Sequence, residues 1–365
     1  MTTPRVVHVV PALFGHEGVY GGAERYALEL ARMMAERVPT RLVAFGSTPM
    51  NRPDGRLRID VVRNLIPYRR FRFDPIGPML APHLAWANEI HYHQTHTFMS
   101  GVSLIIGKLT GRRVFTSHLG GSGFGLHRLT DLTGHYDGHL HISEFSRRTF
   151  GHADLKSARI IGGGVDPVLF HPPNSPPARE YVLFAGRLLA HKGIDYLVEG
   201  VPAEVPLIVA GRPWRHAMAF LERVRGLALG KNVRFEENST DAELRTLYQS
   251  ALCVVLPSVY QSADGGHHPI SELLGQTLIE GMACGTPAIC TAVGGMPEIV
   301  EDGVSGFVVP PNDPGALGEK IRWLRNHPVE ADAMGRAARE RICTHFTWNA
   351  VVDRCLLAYE SVDPA

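Results

Sequence analysis

Two carboxylates eight positions apart, Glu272 and Glu280, stand in the stretch SELLGQTLIEGMACGTP, residues 271–287, with Gly275 between them. If Gly275 marks a turn and a helix begins at Gln276, eight residues rise about 12 Å and bring the second carboxylate back to within roughly 80° of the first. The pair could then touch both ends of one extended ligand. Between the two carboxylates lie Gly275, Gln276 and Thr277, where the unpaired N–H groups of the first turn and the positive end of the helix dipole favour a phosphate. Carboxylates accept hydrogen bonds from vicinal hydroxyls, so Glu280 could hold a ribose and Glu272 a sugar on either side of a diphosphate. A plain amphipathic helix accounts for the same residues: Leu274, Leu278 and Met282 repeat every four positions and leave Glu280 as a solvated charge.

Other segments bear on that choice. GRLLAHKG at 186–193 follows an apolar run and puts Arg187 and Lys192 in one loop, where two cations could meet diphosphate oxygens. Gly21 and Gly22 fall between the first strand and the first helix, and backbone there either approaches a ligand closely or simply turns. HYHQTH at 91–96 aligns His91 and His93 on one strand face with His96 close behind. No His-Glu-x-x-His, cysteine pair or Asp-x-Asp completes a metal site by spacing, so the three histidines are expected to border an acceptor cleft and no metal is assigned.

Short β-branched runs must position these residues. VVHVV at 6–10 is followed by a helix from about Ala23 to Glu36, and YVLFAGR, LIVAG, VRF, CVVLP and AICT each end in turn residues before a helical stretch. That alternation predicts parallel α/β sheets, with ligand sites at the carboxyl ends of strands. The 365 residues suit two doubly wound, Rossmann-like domains facing a cleft. HPPNSPPA, with four prolines in eight residues, reads as the linker. The expected division is residues 1–172 on the acceptor side, 173–345 for the nucleotide-sugar side, and 346–365 as a helix packing back on the first domain. Net charge is +1, which argues against a nucleic-acid partner. Residues 1–170 nevertheless hold 20 basic against 13 acidic side chains, and the remainder 17 against 23. An anionic ligand or membrane surface on the first half follows from this asymmetry. Five cysteines without a Cys-x-x-Cys suit a reducing cytoplasm, and VVHVV is too short for a signal-peptide core or a span.

Taken together, GGAE after the first strand, GGGVDPVLFHP before the linker, FAGRLLAHKG after it, ELLGQTLIEGMACGTP and AVGGMPEIVEDGVSGFVV resemble the retaining family 4 glycosyltransferases (glycosyl transferases group 1) of the GT-B fold. The resemblance runs over nearly the whole chain and is strongest from 160 to 310. It implies a metal-independent hexosyltransferase of carbohydrate biosynthesis with no cofactor beyond its nucleotide-sugar co-substrate, UDP-linked by family frequency. By the same match the E-x7-E pair falls on Glu272, near the donor sugar, and Glu280, on the ribose. Arg187 and Lys192 correspond to the cations that neutralise the departing diphosphate, Gly22 to the loop glycine near the phosphates, and His118 to the histidine facing the reacting sugar. Retention in this family is ascribed to front-face attack with the leaving phosphate assisting, so no enzymic base is named.

Three departures stand out. SVYQSADGGHHPIS at 258–271 is longer than the family pattern and is either a mobile surface insertion or a modifier of sugar choice. Glu272-Leu273-Leu274-Gly275 keeps the glycine but changes its packing. FEEN, at 235–238, lacks the small glycine often found near the base. RNLIPYRRFRFDPIG at 63–77 interleaves arginines with aromatics, giving either an ordinary loop or a peripheral contact with anionic lipid at the inner membrane face. The acceptor is expected to be a saccharide, a lipid-linked or a small-molecule hydroxyl. A sugar-nucleotide epimerase of the same architecture and a non-catalytic carbohydrate-binding subunit are the alternatives.

Overall fold

A computed structural model describes residues 3–13, 21–65, 75–120, 125–175, 179–213 and 217–361. The aromatic and basic centre of the 63–77 stretch and three residues of the proline-rich segment lie outside the described residues. The chain forms two compact units, Met1–Gly164 with Trp348–Ala365, and Val165–Thr347. The division thus falls at 164/165, ahead of the expected 172, and the proline-rich segment belongs to the second unit. The chain ties itself in before the prolines: Val165 N donates to Phe346 O at 2.9 Å, and Arg339 donates to the carbonyls of Pro167 and Phe170.

In the first unit the strands are β1 (Val6–Leu13), β2 (Thr40–Gly46), β3 (Met50–Asp54), β4 (Leu57–Arg63), β5 (Glu89–His93), β6 (Arg113–Ser117), β7 (Gly138–His141) and β8 (Ala158–Ile160). They form one sheet in the order β3-β4-β2-β1-β5-β6-β7-β8, parallel except for β3 against β4. Val7, Val9, Val43, Phe45, Ile90, Tyr92 and Val114 build a core on one face. On the other face Val10, Leu42, Ala44, Leu57 and Ile59 meet Ala27, Leu28 and Ala31 of the helix Gly22–Ala35. Near-continuous apolar strands are what a sheet covered on both faces requires. The helix Trp348–Glu360 packs in this unit against the helix Gly22–Ala35.

The second unit holds β9 (Tyr181–Ala185), β10 (Leu207–Ala210), β11 (Val233–Glu236), β12 (Ala251–Leu256), β13 (Ala288–Thr291) and β14 (Gly306–Val309). Their order, β11-β10-β9-β12-β13-β14, is fully parallel and reverses direction beside β9, which is the 3-2-1-4-5-6 arrangement of doubly wound sheets. In such a sheet the crevice at the ends of the first and fourth strands is the ligand site. Here those strands are β9 and β12, and they lead directly into the Arg187–Lys192 loop and the 258–271 segment. All five cysteines are free. Among the described residues no helix is long and apolar enough to cross a membrane.

Candidate active site

Within the second unit, Lys192 closes a short 3-10 turn, Ala190–Lys192, and its ammonium pairs with the Glu272 carboxylate. Both side chains are largely withdrawn from solvent, 11% and 14% exposed, so the pair is oriented more tightly than a surface ion pair. Two glycines make the approach possible. Gly193 sits at φ +64°, and a Cβ there would lie 2.0 Å from Pro257 O. Gly294 sits at φ +62°, and a Cβ there would lie 1.7 Å from Glu272 O, so only glycine lets the GGMPE turn press against the glutamate's backbone. Gly295 N then donates to Glu272 O at 3.1 Å.

Gly275 caps the helix Gln276–Ala283 from the left-handed region, and no side chain caps that end. Gln276 and Thr277 open the helix, half-buried, beside Glu272 in the sequence. Glu280 is not the solvated charge of an amphipathic helix: it is 4% exposed and its Oε2 accepts from Tyr248 Oη at 3.1 Å. A carboxylate so deep in the fold has a polar role to fill. Arg187, by contrast, is exposed and carries no ion pair among the described residues. Beside it His191 is pushed down to about 3, by burial first and then by Lys192, Arg187 and His268. The neutral imidazole leaves the two cations as the positive charges of the loop.

The 258–271 segment is a folded hairpin. Gln261 pairs with His267 across Gly265, Ser262 Oγ donates to Asp264 at 2.5 Å and lies 3.0 Å from His268 Nε2, and His268 rests on the His191 ring with centroids 5.3 Å apart. Tyr260 Oη accepts from Gly294 N at 2.8 Å, which ties the hairpin to the glycine that supports Glu272. Tyr248 escapes a sequence reading because no local pattern separates it from ordinary polar residues, whereas Ser262 and His268 fall in the 258–271 segment that the sequence singles out. Further along the unit, a cavity of about 320 Å³ is lined by Glu236, Glu237, Asn238, Glu243 and Thr246, at the FEEN departure.

In the first unit, Gly22 begins the helix Gly22–Ala35, and a Cβ on it would meet no described atom within 4 Å, so packing does not demand glycine there. Gly21 is extended at φ −160° and a Cβ on it would meet Glu24. His118 follows β6 and is buried, with Nε2 3.0 Å from Thr95 Oγ1 and its ring against Phe150. Burial, then His141, His96 and neighbouring rings, holds it well below the usual imidazole range. His96 joins it, the two ring centroids 5.2 Å apart.

His91 and His93 do not join His118. Strand register sets His91 opposite His8, and all three rings are sealed in the sheet's interior: His8 Nδ1 lies 2.9 Å from His93 Nε2, and His91 is held by Tyr359 and Ser117. With exposures of 0% and 1%, His91 and His93 are core polar residues, and the expected acceptor-side position is corrected for both. The alternation does set both on one strand face, but that face is the one covered by the C-terminal helix.

Residues 167–341 match the family model described as Glycosyl transferases group 1. Among curated proteins, the chain is 34% identical over 221 residues to the D-inositol 3-phosphate glycosyltransferase 1 of Catenulispora acidiphila, covering 54% of this chain and 50% of that one. It is 27% identical over 241 residues to the alpha-maltose-1-phosphate synthase of Mycobacterium tuberculosis, covering 59% of each. The chain thus spans about half the length of the curated relatives it matches. Among solved structures, Alr3699/HepE of Anabaena in complex with UDP superposes with a TM-score of 0.76 at 17% identity over 98% of this chain and 100% of that one. Sucrose-phosphate synthase of Thermosynechococcus elongatus does so with a TM-score of 0.73 at 21% identity, covering 98% of each chain. These likenesses show the fold, two doubly wound α/β domains of the GT-B class.

Proposed function

We propose that the chain is a retaining glycosyltransferase that moves a hexose from a nucleoside-diphosphate donor, a UDP-sugar first among them, to a hydroxyl of a saccharide, lipid-linked or small-molecule acceptor. The observation that carries this reading is the Lys192–Glu272 pair at the strand ends of the second unit, one helix start away from the buried Glu280. Glu280 takes the ribose hydroxyls, the uncapped first turn at Gln276 and Thr277 takes the phosphates, and Glu272 takes the sugar. The glycosidic C–O bond to the diphosphate breaks and its electron pair stays on the leaving phosphate. Lys192 and the exposed Arg187 stabilise that charge without reorganising, so no metal is needed at the diphosphate. The acceptor hydroxyl attacks from the face the diphosphate leaves and its proton passes to the departing phosphate oxygen, which retains configuration. The cavity beside FEEN is the place for the base. We place the reaction in the cytoplasm, on donors made there.

Thermal unfolding with UDP, GDP and ADP, each with and without a chelator, tests the donor site. At about 100 times its dissociation constant one nucleotide adds roughly 2.7 kcal/mol. The shift is expected to survive chelation and to vanish in Glu280→Ala. The absence of a shift with all three nucleotides would leave only a fold likeness. Conversion of a UDP-sugar in the absence of any acceptor would point instead to the epimerase.

A further inference from the structure

His118, His141 and His152 converge at the carboxyl ends of β6 and β7: one ring nitrogen from each lies within 4.8 Å of the other two. The ring centroids stand 5.2 Å apart for His118 and His141, 5.1 Å for His118 and His152, and 5.1 Å for His141 and His152. Those three spacings have a common origin in coordination geometry. An ion held about 2.05 Å from an imidazole nitrogen lies about 3.2 Å from the ring centre, and two such rings at the tetrahedral angle stand about 5.2 Å apart. Every side of the triangle meets that value. His141 Nε2 and His152 Nδ1 are 3.0 Å apart, a few tenths of an ångström short of the about 3.3 Å that two nitrogens on one tetrahedral ion adopt. A small ring rotation covers the difference.

The surroundings hold the rings in this pose. Ser146 Oγ lies 3.1 Å from His141 Nδ1 and turns Nε2 inward, while Thr95 Oγ1 steadies His118. Such hydrogen bonds to the outer nitrogen are what orient metal-binding imidazoles. A cavity of about 30 Å³, lined by Thr95, His96, His118, His139 and His152, adjoins the triangle and has room for a water. His139 Nε2 donates to Thr133 O at 3.0 Å, so its Nδ1 carries a lone pair, and that buried atom has no hydrogen-bond partner among the described residues. In the other histidine group, His8, His91 and His93, one pair of centroids is only 4.3 Å apart, and both nitrogens of His91 are held by side chains outside the group, Tyr359 and Ser117.

We propose that His118, His141 and His152 bind one zinc-class divalent ion, with a water from the adjoining cavity in the fourth position. The site lies wholly in the first unit. Sequence spacing completes no metal site at HYHQTH, and it does not bring out this triad, which is assembled by strand register and by the turn that carries His152.

Chelator-stripped full-length protein titrated with Co2+ tests the site through the visible ligand-field absorption of a tetrahedral ion, followed by displacement with Zn2+ and metal analysis after dialysis. One ion per chain is expected. His141→Ala and His152→Gln abolish the tetrahedral spectrum, Ser146→Ala weakens binding about tenfold or more, and the exposed His345→Ala leaves it unchanged. Circular dichroism verifies each variant's fold, and should His141→Ala fail to fold, His152→Gln and Ser146→Ala carry the test. A weak octahedral spectrum, or tetrahedral binding that persists in His152→Gln, overturns the proposal. Neither readout uses transfer activity, so the metal site stands or falls separately from the donor reading.

Discussion

Acidification should dismantle the first unit at a pH where most domains are still stable. His8, His141 and His152 are 0%, 0% and 6% exposed, and burial pushes them down to about 3, about 3 and about 4. Each has a folded pKa below its unfolded value, so the unfolded chain binds more protons between the two. Stability is therefore complete above about pH 6.5 and is lost as pH falls through the window towards 3 to 4. At about pH 5 all three remain neutral when folded and are protonated when unfolded, which costs about 2 kcal/mol each, or about 6 kcal/mol together. The figure depends on the ordinary imidazole value as long as the folded values stay below 5. His91, His93 and His118, also lowered by burial, act in the same direction. Glu89, whose carboxyl burial pushes up, works the other way by binding its proton more readily when folded.

A loss of about 6 kcal/mol is comparable to the entire stability of many domains. Guanidinium unfolding of the chelator-stripped protein between about pH 7.5 and about pH 5, read by hydrogen exchange on β1, β5, β6 and β7 peptides, measures it. The second unit, where the lowered His191 is only half-buried, should lose less over the same range. His8→Leu should recover about 2 kcal/mol of the pH dependence. A first-unit stability that changes by less than about 2 kcal/mol across this range, or a His8→Leu profile identical to wild type, would refute the reasoning.

Four further outcomes follow from the second unit and the first helix. Lys192→Ala and Glu272→Ala should each lose about 3 kcal/mol of stability by stranding the partner's charge, and the double variant should lose less than the sum, in a thermal-unfolding cycle. In steady-state transfer assays Lys192→Ala lowers kcat about 100-fold or more, because the departing diphosphate loses a preorganised cation. Gly22→Ala should fold with an unchanged Tm in thermal unfolding, since nothing described crowds that position. His268→Ala should cost about 1 kcal/mol and shift preference among donor sugars while leaving the choice of base alone, which competition between UDP-sugars would reveal.

The order of β and α elements was legible because parallel strands covered on both faces are short, apolar and bounded by turn residues. VVHVV, YVLFA, LIVA and AICT fall inside β1, β9, β10 and β13. The unit boundary was not legible, because proline density marks stiffness and the point where contacts change is set by Val165 pairing with Thr347, far away in sequence. Lys192 and Glu272 could be suspected from loop position, but their contact depends on Gly193 and Gly294, whose need for a left-handed backbone appears only when Pro257 and Glu272 arrive beside them. The burial of Glu280 was likewise hidden, since Tyr248 reaches it from another helix.

Histidines show most clearly where local pattern ends. Alternation in HYH correctly puts two imidazoles on one strand face, yet whether that face opens to a ligand depends on what covers it. Tyr359, 268 residues beyond His91, closes it. His118 and His141 carry no shared local motif, but β6 and β7 are in register with Ser117 opposite Leu140, so the residue after each lands beside the other at the strand ends. His152 then enters from the turn after the helix Glu144–Thr149, held by its N–H to Arg147 O at 2.9 Å. Ligand spacing along the chain is informative only when one turn or one helix supplies the ligands. When three segments supply them, register between strands replaces spacing, and a search by spacing reaches the sealed His91 and His93 before the convergent triad.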